Sequence, residues 1–483
     1  MDRRSILALA ATTAIGRILS SSHAFADTAP GPQMSALSAY MAAARARALP
    51  AEVAEQAKHH LLDTFAAMIS GSRLPPGLAA QRYVAAHAGK GTATVIGSAL
   101  TAAPVEAALA NGLAAHADET DDSNNVGRWH PGCAVVPAAL ATAEELGGDG
   151  ATLLRAVTLG YDVGTRIILA MFGEGAKASY GVSLATHSVA GTFGAAAAAC
   201  CVAGLDARDM RFALGYTAHA SSGTRAWQRD TDHIEKGFVF AGMPARNGVT
   251  SALLVKSGWT GVEDIFTGAD NFFAAYAPKA EPDRLVEKLG ERYDIALTDI
   301  KKWTVGSPIQ APLDGIEAIS GKRPFAADQV KRVTVRLAPP VAAVVDNRDI
   351  PDICLQHMIA VMLLDKTVSF HAAHDTARMH DAAALRERAK VDLVRDEELA
   401  KYLPVRVTLV EVELADGTRL AERVTAVRGT PRNPMTRAEV IDKAGDLVAP
   451  VLGRATAERL IETVYAIEQV ADVRAMRPLL RAG

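Results

Sequence analysis

Cysteine is scarce in this chain. Its 483 residues contain four, Cys133, Cys200, Cys201 and Cys354, and none belongs to a CxxC pair. Zinc or iron–sulfur ligation therefore has no matching spacing, and Cys200-Cys201, inside an apolar run, reads as two small buried thiols. HExxH, a Walker loop, GxGxxG and GxSxG are all absent, which removes the usual signatures of several large enzyme classes. Aromatic residues make up only 5% of the chain. No basic block exists either: 51 Lys and Arg face 54 Asp and Glu, a net charge of −3. Nucleic-acid binding needs a concentrated basic face and is not expected.

Hydrophobic residues supply 49% of the chain, with a large share of Ala, which favours closely packed helices. The length allows two or three domains. At the N-terminus, Asp2-Arg3-Arg4-Ser5 precedes an apolar stretch from Ile6 to Gly16, and Ala24-Phe25-Ala26 forms a small-x-small site. Residues 1–26 thus read as a signal peptide of the twin-arginine kind, and the mature protein is expected in the periplasm. Later apolar runs are too short or too charged to span a bilayer, so no membrane association is expected after cleavage.

Helical periodicity dominates from Ser35 to Phe273, as in Ala51–Ser70, Pro104–Ala115, Gly150–Met171 and Val189–Ala203. The pattern changes after about residue 280. Arg332–Leu337 alternates as a strand, and Val405–Leu414, Asp416-Gly417 and Leu420–Val427 read as a hairpin. Asn433-Pro434-Met435-Thr436 then starts a return to helix. The expected fold is mostly α: an all-helical domain over 35–280, completed by 433–483, and a smaller α+β domain over 281–432.

Four segments carry candidate chemistry. The first runs from Asn111 through His116, Asp118, Glu119, Asp121, Asp122 and Ser123 to Arg128-Trp129-His130-Pro131-Gly132. Two imidazoles, four carboxylates and a hydroxyl lie there between two apolar helices. Buried charge is costly unless paired, so this is either a site or a solvated acidic loop with His130 capping the next helix. A held His130 suits proton transfer near neutrality. In the second, Thr186-His187-Ser188, the imidazole starts a helix, where the dipole favours its neutral form, or else the segment is a polar helix cap. The third, Arg225–Gly237 with Gly242–Gly248, offers Arg229, Lys236 and Arg246 as carboxylate anchors or as surface ion pairs. The fourth, Lys301-Lys302-Trp303 to Gln310, falls at the expected domain junction, a favoured position for ligands.

In this order and spacing the segments resemble the MmgE/PrpD family, over the whole chain from Ser35. The most specific stretches are ANGLAAHADETDDS with HPG, HSVAGTFGAAAAA, GMPARNG and KKW with SPIQAPLDGI. The resemblance implies a helical domain plus an α+β domain, a homodimer, a site between the domains, and no metal or organic cofactor. The family's Asp-x-Asp-Asp-Thr falls on Glu119-Thr120-Asp121-Asp122-Ser123, with Glu and Ser replacing the first Asp and the Thr. His130 and His187 match its two site histidines. Lys236 matches a site lysine displaced by one residue, and Lys301 matches the lysine before Pro-Tyr-Pro, here Lys302-Trp303-Thr304. Gln310 stands where a histidine is usual, and His357 where a tyrosine is usual.

The implied reaction is proton transfer at a carbon next to a carboxylate, with a small hydroxy di- or tricarboxylate as substrate. His130 and His187 are then the acid/base pair, and Glu119, Asp122 and Ser123 orient His130 or a substrate hydroxyl. Lys301, Lys236, Arg246, Gln310 and His357 contact the substrate. Dehydration is the simplest outcome. Epimerisation or isomerisation, decarboxylation, and non-catalytic anion binding are the alternatives.

Overall fold

The computed structural model describes residues 29–482, so the leader expected at 1–26 lies outside the described residues. Helix dominates, as the Ala-rich composition dictates. Pro104–Ala115 forms as read, and Ala51–Gly71, Gly150–Phe172 and Thr186–Ala203 start or end within a few residues of the periodic pattern, with Gly132–Leu146 and Ala207–Ala220 between and after them. Local chemistry sets their ends. Asp149 accepts from Thr152 N at 2.6 Å to start Gly150–Phe172. Thr436 and Glu439 form a reciprocal capping box ahead of Arg437–Leu452.

Small residues let these helices touch. A Cβ on Gly160 would stand 2.7 Å from the carbonyl oxygen of Gly194, so only glycine permits that approach between Gly150–Phe172 and Thr186–Ala203. Thr186–Ala203 is long and apolar enough to cross a membrane, but 94% of it is buried inside the protein, as befits a core helix.

Apolar side chains gather in two main clusters. The larger takes residues from Met34 to Ile300 and resumes with Met435 through Leu480. The second runs from Trp303 to Leu414. Leu285, Tyr293, Ile295 and Ile300 belong to the first, so the change of cluster comes between residues 300 and 303.

The second cluster is built on a four-stranded sheet. Its central strand Val330–Leu337 pairs antiparallel with Thr408–Leu414, which forms a hairpin with Arg419–Val424. Thr408–Leu414 alternates between buried and half-buried positions along its length, as the sequence pattern requires. On the other side Val330–Leu337 pairs parallel with Val391–Arg395, Val333 standing opposite Val391. The helices Ser307–Lys322 and Leu355–Asp365 contribute Ile309, Leu313, Met358 and Ile359 to the same cluster.

Candidate active site

The acidic segment lies between the helices Pro104–Ala115 and Gly132–Leu146, and it is buried rather than solvated. Asp121 and Asp122 have no solvent exposure, and Glu119 and Ser123 have 8% each. Ion pairs and hydrogen bonds make this burial tolerable.

Asp121 is the centre. One of its oxygens lies 2.8 Å from His116 Nδ1 and the other 3.1 Å from His130 Nδ1. Burial alone would push its carboxyl up, but His116, His130 and Lys301 hold it well below the usual range. An ionised carboxylate only accepts, so both imidazoles carry their proton on Nδ1. The Nε2 atoms are then the nitrogens available to take a proton. The ligand atoms of His116, Asp121 and His130 converge within 4.8 Å. A metal ion there would displace two N–H donors and sit against the Lys301 ammonium, 3.6 Å from the same carboxylate. The set fits a hydrogen-bonded dyad better than a metal site.

Asp122 does different work from that expected. Its Oδ2 accepts from His60 Nδ1 at 2.9 Å and from the Tyr161 hydroxyl at 2.5 Å, and its Oδ1 accepts from Gly132 N at 2.9 Å. It ties the acidic loop to three helices and does not touch His130. Ser123 also fails to orient His130: its backbone forms a two-bond bridge with Asp299, at 3.0 and 2.8 Å. Adjacent residues of an irregular loop point in different directions, which is why Asp121 rather than its neighbour carries the imidazoles.

The two expected lysines are present and paired. Lys301, 3% exposed, donates to Glu119 O at 2.7 Å and lies 3.6 Å from a Glu119 side-chain oxygen. Lys236 is ion-paired with the Glu119 carboxylate. Burial raises the Glu119 carboxyl, but Lys236 and Lys301 outweigh it and hold Glu119 well below its ordinary value. Burial opposes the Lys301 charge as well, yet Asp121 and Glu119 raise its pKa. From behind, Lys443 on Arg437–Leu452 donates to Thr120 O at 3.0 Å and pairs with Asp63 at 2.6 Å.

Phe240 assembles the rest. It lies in a π-helical turn, Phe238–Gly242, that presses onto Pro104–Ala115. A Cβ on Gly112 would stand 2.9 Å from the backbone of Ala241, so the approach depends on glycine. The Phe240 ring stacks on His187 at 3.8 Å and on His116 at 4.7 Å, and meets Trp227 edge-on at 4.6 Å. His130 and His187 are 5.5 Å apart, ring centre to ring centre. The Thr186 hydroxyl donates to Arg128 O at 2.9 Å, joining the start of the His187 helix to the corner that carries His130. Arg128 turns that corner with φ +52°. Burial first, then the neighbouring imidazole of His130, holds His187 well below its ordinary pKa, so it is neutral. His233, with φ +61°, adds a fourth imidazole 5.2 Å from His116.

Three expected substrate contacts are employed elsewhere. Gln310 accepts from Trp303 N at 3.0 Å and donates to Trp303 O and Val305 O at 2.7 and 2.9 Å, so its amide staples a turn. Arg246 pairs with Glu106 at 3.1 Å on a partly exposed face. His357 lies among residues of the second cluster, and burial lowers its pKa to about 4. None of the three meets the imidazole group. A mainly apolar cavity of about 210 Å³ is lined by Ser123, Lys301, Gln310, Val405 and Arg406.

The sequence reading missed Asp121, His116 and His233 as individuals, although all stand in the segments it singled out. It missed Phe240 altogether, because one Phe in an apolar stretch carries no local signal. It also missed His374, which reaches the site loop from the helix Phe370–His374, its Nε2 2.9 Å from Asp118 Oδ2.

Comparison with known proteins places the chain in a family. Residues 35–285 match the MmgE/PrpD N-terminal domain and residues 303–469 the MmgE/PrpD C-terminal domain. The chain is 26% identical over 460 residues to the cis-aconitate decarboxylase-like protein oryM of Aspergillus oryzae, covering 89% of this chain and 94% of that protein. It is 26% identical over 458 residues to the cis-aconitate decarboxylase of Homo sapiens, covering 89% and 90%. To the cis-aconitate decarboxylase of Aspergillus terreus it is 24% identical over 471 residues, covering 89% and 92%. The chain belongs to the MmgE/PrpD family.

Proposed function

We propose that this protein is a lyase that removes a carboxylate, as CO₂, from a small unsaturated di- or tricarboxylate, with His130 as the proton donor. The observation that carries the reading is the Asp121 carboxylate shared by His116 and His130, beside Lys301. It fixes which nitrogen of His130 faces a substrate and balances the charge of an imidazolium.

The step is simple to balance. The bond to the departing carboxylate breaks, and its electron pair forms a new carbon–carbon double bond. The original double bond shifts its pair to its far carbon, which takes the proton from His130 Nε2. The negative charge that builds on the substrate during this shift is offset by Lys301 and Lys236, the latter half-buried and able to turn from Glu119 toward a substrate carboxylate. A positioned general acid supplies a factor of ~10²–10⁴.

The names of the relatives favour decarboxylation over the dehydration expected from sequence. The Phe240 and Trp227 rings support the same choice, since an apolar surface disfavours a carboxylate and tolerates CO₂. The test is turnover of cis-aconitate in D₂O. Release of CO₂ with one deuterium on a product carbon is expected, and His130→Gln should lose about 100-fold or more. Loss of water from a hydroxy acid without CO₂ would favour a dehydratase instead.

Export and assembly are separate proposals. The Arg3-Arg4 leader supports a periplasmic protein, and a mature chain beginning at Asp27 in the periplasmic fraction would establish it. The family resemblance supports a homodimer, which light scattering would test.

A further inference from the structure

One buried carboxyl near the site has no task in this scheme. Asp352 lies in the short turn Pro351–Ile353 ahead of the helix Leu355–Asp365. Its carbonyl accepts from Gly306 N at 2.9 Å, which fastens the turn to the segment that carries Lys301. The residue is 5% exposed, yet among the described residues its carboxyl has no hydrogen-bond or ion-pair partner. Neither carboxyl oxygen is fully shut in, so a ligand can supply the partner that the protein does not.

The charges that act on Asp352 come from the site. They are His374 on the helix Phe370–His374, Glu119 and Asp118 on the acidic loop, and Lys236 on the short helix Ile234–Gly237. The other carboxyls there are occupied. Asp118 takes His374 and Thr120, Glu119 takes Lys236 and Lys301, and Asp121 takes two imidazoles. Among these carboxyls Asp352 alone makes no hydrogen bond or ion pair within the described residues, and its turn is fastened to the segment that carries Lys301.

We propose that Asp352, as a neutral carboxylic acid, donates a hydrogen bond to a carboxylate of the bound substrate and so selects for a polycarboxylate. This rests on the lyase reading above. A carboxylate ligand only accepts, so an ionised Asp352 would repel it, whereas the acid form offers the missing donor. Burial supports that form: it pushes Asp352 up to about 7, with His374 and Lys236 opposing and Glu119 and Asp118 adding to the rise. No bond is made or broken by Asp352. It is a specificity residue that loses its donor as pH passes neutrality.

The experiment uses tricarballylate, a saturated tricarboxylate that cannot undergo the reaction, titrated calorimetrically between pH 6 and 8.5. Wild-type affinity should fall about tenfold or more across that range, as the competent form is depleted. Asp352→Asn keeps an N–H donor at every pH, so its affinity at pH 8.5 should stay near its value at pH 6. Asp352→Ala should bind weakly throughout. Asparagine is isosteric, and at pH 6 the acid form it replaces carries no charge toward His374, so matching thermal melts are expected at that pH. If Asp352→Asn follows the wild-type pH curve, the assignment of Asp352 is wrong while the lyase reading stands. If wild-type protein does not bind tricarballylate at pH 6, both are overturned.

Discussion

His116 and His130 share one carboxylate, each Nδ1 on a different oxygen of Asp121, with their rings 4.9 Å apart at 67°. This sharing fixes both tautomers at once. His130 faces His187 and Phe240, whereas His116 is fully buried with its Nε2 unpartnered. His116 is therefore a positioning residue that helps to hold Asp121 for its partner.

Asp121→Asn should separate these roles. An amide presents one acceptor and one donor, so one of the two imidazoles must change tautomer or turn away. Turnover per folded molecule should fall by about 10²–10⁴. Steady-state rates measured beside a circular dichroism spectrum check this, and retention of full activity would remove Asp121 from the site.

Asp122→Ala should act on stability. It strands the His60 ring, the Tyr161 hydroxyl and the Gly132 amide, all donors in a buried region. Each unsatisfied donor costs about 1–3 kcal/mol, so a loss of several kcal/mol in denaturant unfolding is expected. A loss below 1 kcal/mol would show that the loop is not held through Asp122.

The pair of His374 and Asp118 should make stability fall in mild alkali. His374 Nδ1 donates to Phe370 O at 2.7 Å while Nε2 faces a carboxylate, so both nitrogens carry protons. Burial opposes that charge, but Asp118 and Asp352 outweigh it and raise His374 to about 9. Raised above its unfolded value, this group stabilises fully below about pH 6.5, and the contribution is lost as pH rises through about 9. The difference in melting temperature between wild type and His374→Asn should therefore shrink from pH 6 to pH 9.5. A constant difference would refute the pairing.

Gln310→Ala should weaken the Trp303–Val305 turn without altering proton transfer. Three hydrogen bonds are lost and two buried carbonyls left open, at about 1 kcal/mol or more each. Unchanged solvent-deuterium incorporation per folded molecule would agree with a structural role, and a selective loss of incorporation would restore Gln310 to the substrate.

Much of the fold was legible from local pattern. Periodic apolar spacing gave Pro104–Ala115 to the residue and the hairpin about Asp416-Gly417 closely, because both signals are contained within one element. The parallel strand Val391–Arg395 was not legible: it is five residues long, and its partner lies more than fifty residues away. The segments of the site were legible as concentrations of charge where a core should be. The partners of each group were not, since Asp121 and Asp122 are identical in type and adjacent in sequence.

The sequence by itself determined the family, the helical class, and the acidic loop, histidines and lysines that the chain must bury. Tertiary structure alone decided that Asp121 carries the imidazoles while Asp122 ties helices together, that Phe240 packs His116 and His187, and that Gln310 and Arg246 have other partners. Periodicity and residue type are local and survive in one dimension. Which carboxylate meets which cation depends on the direction of a loop backbone and on helices distant in sequence, and both are set only when the core closes around them.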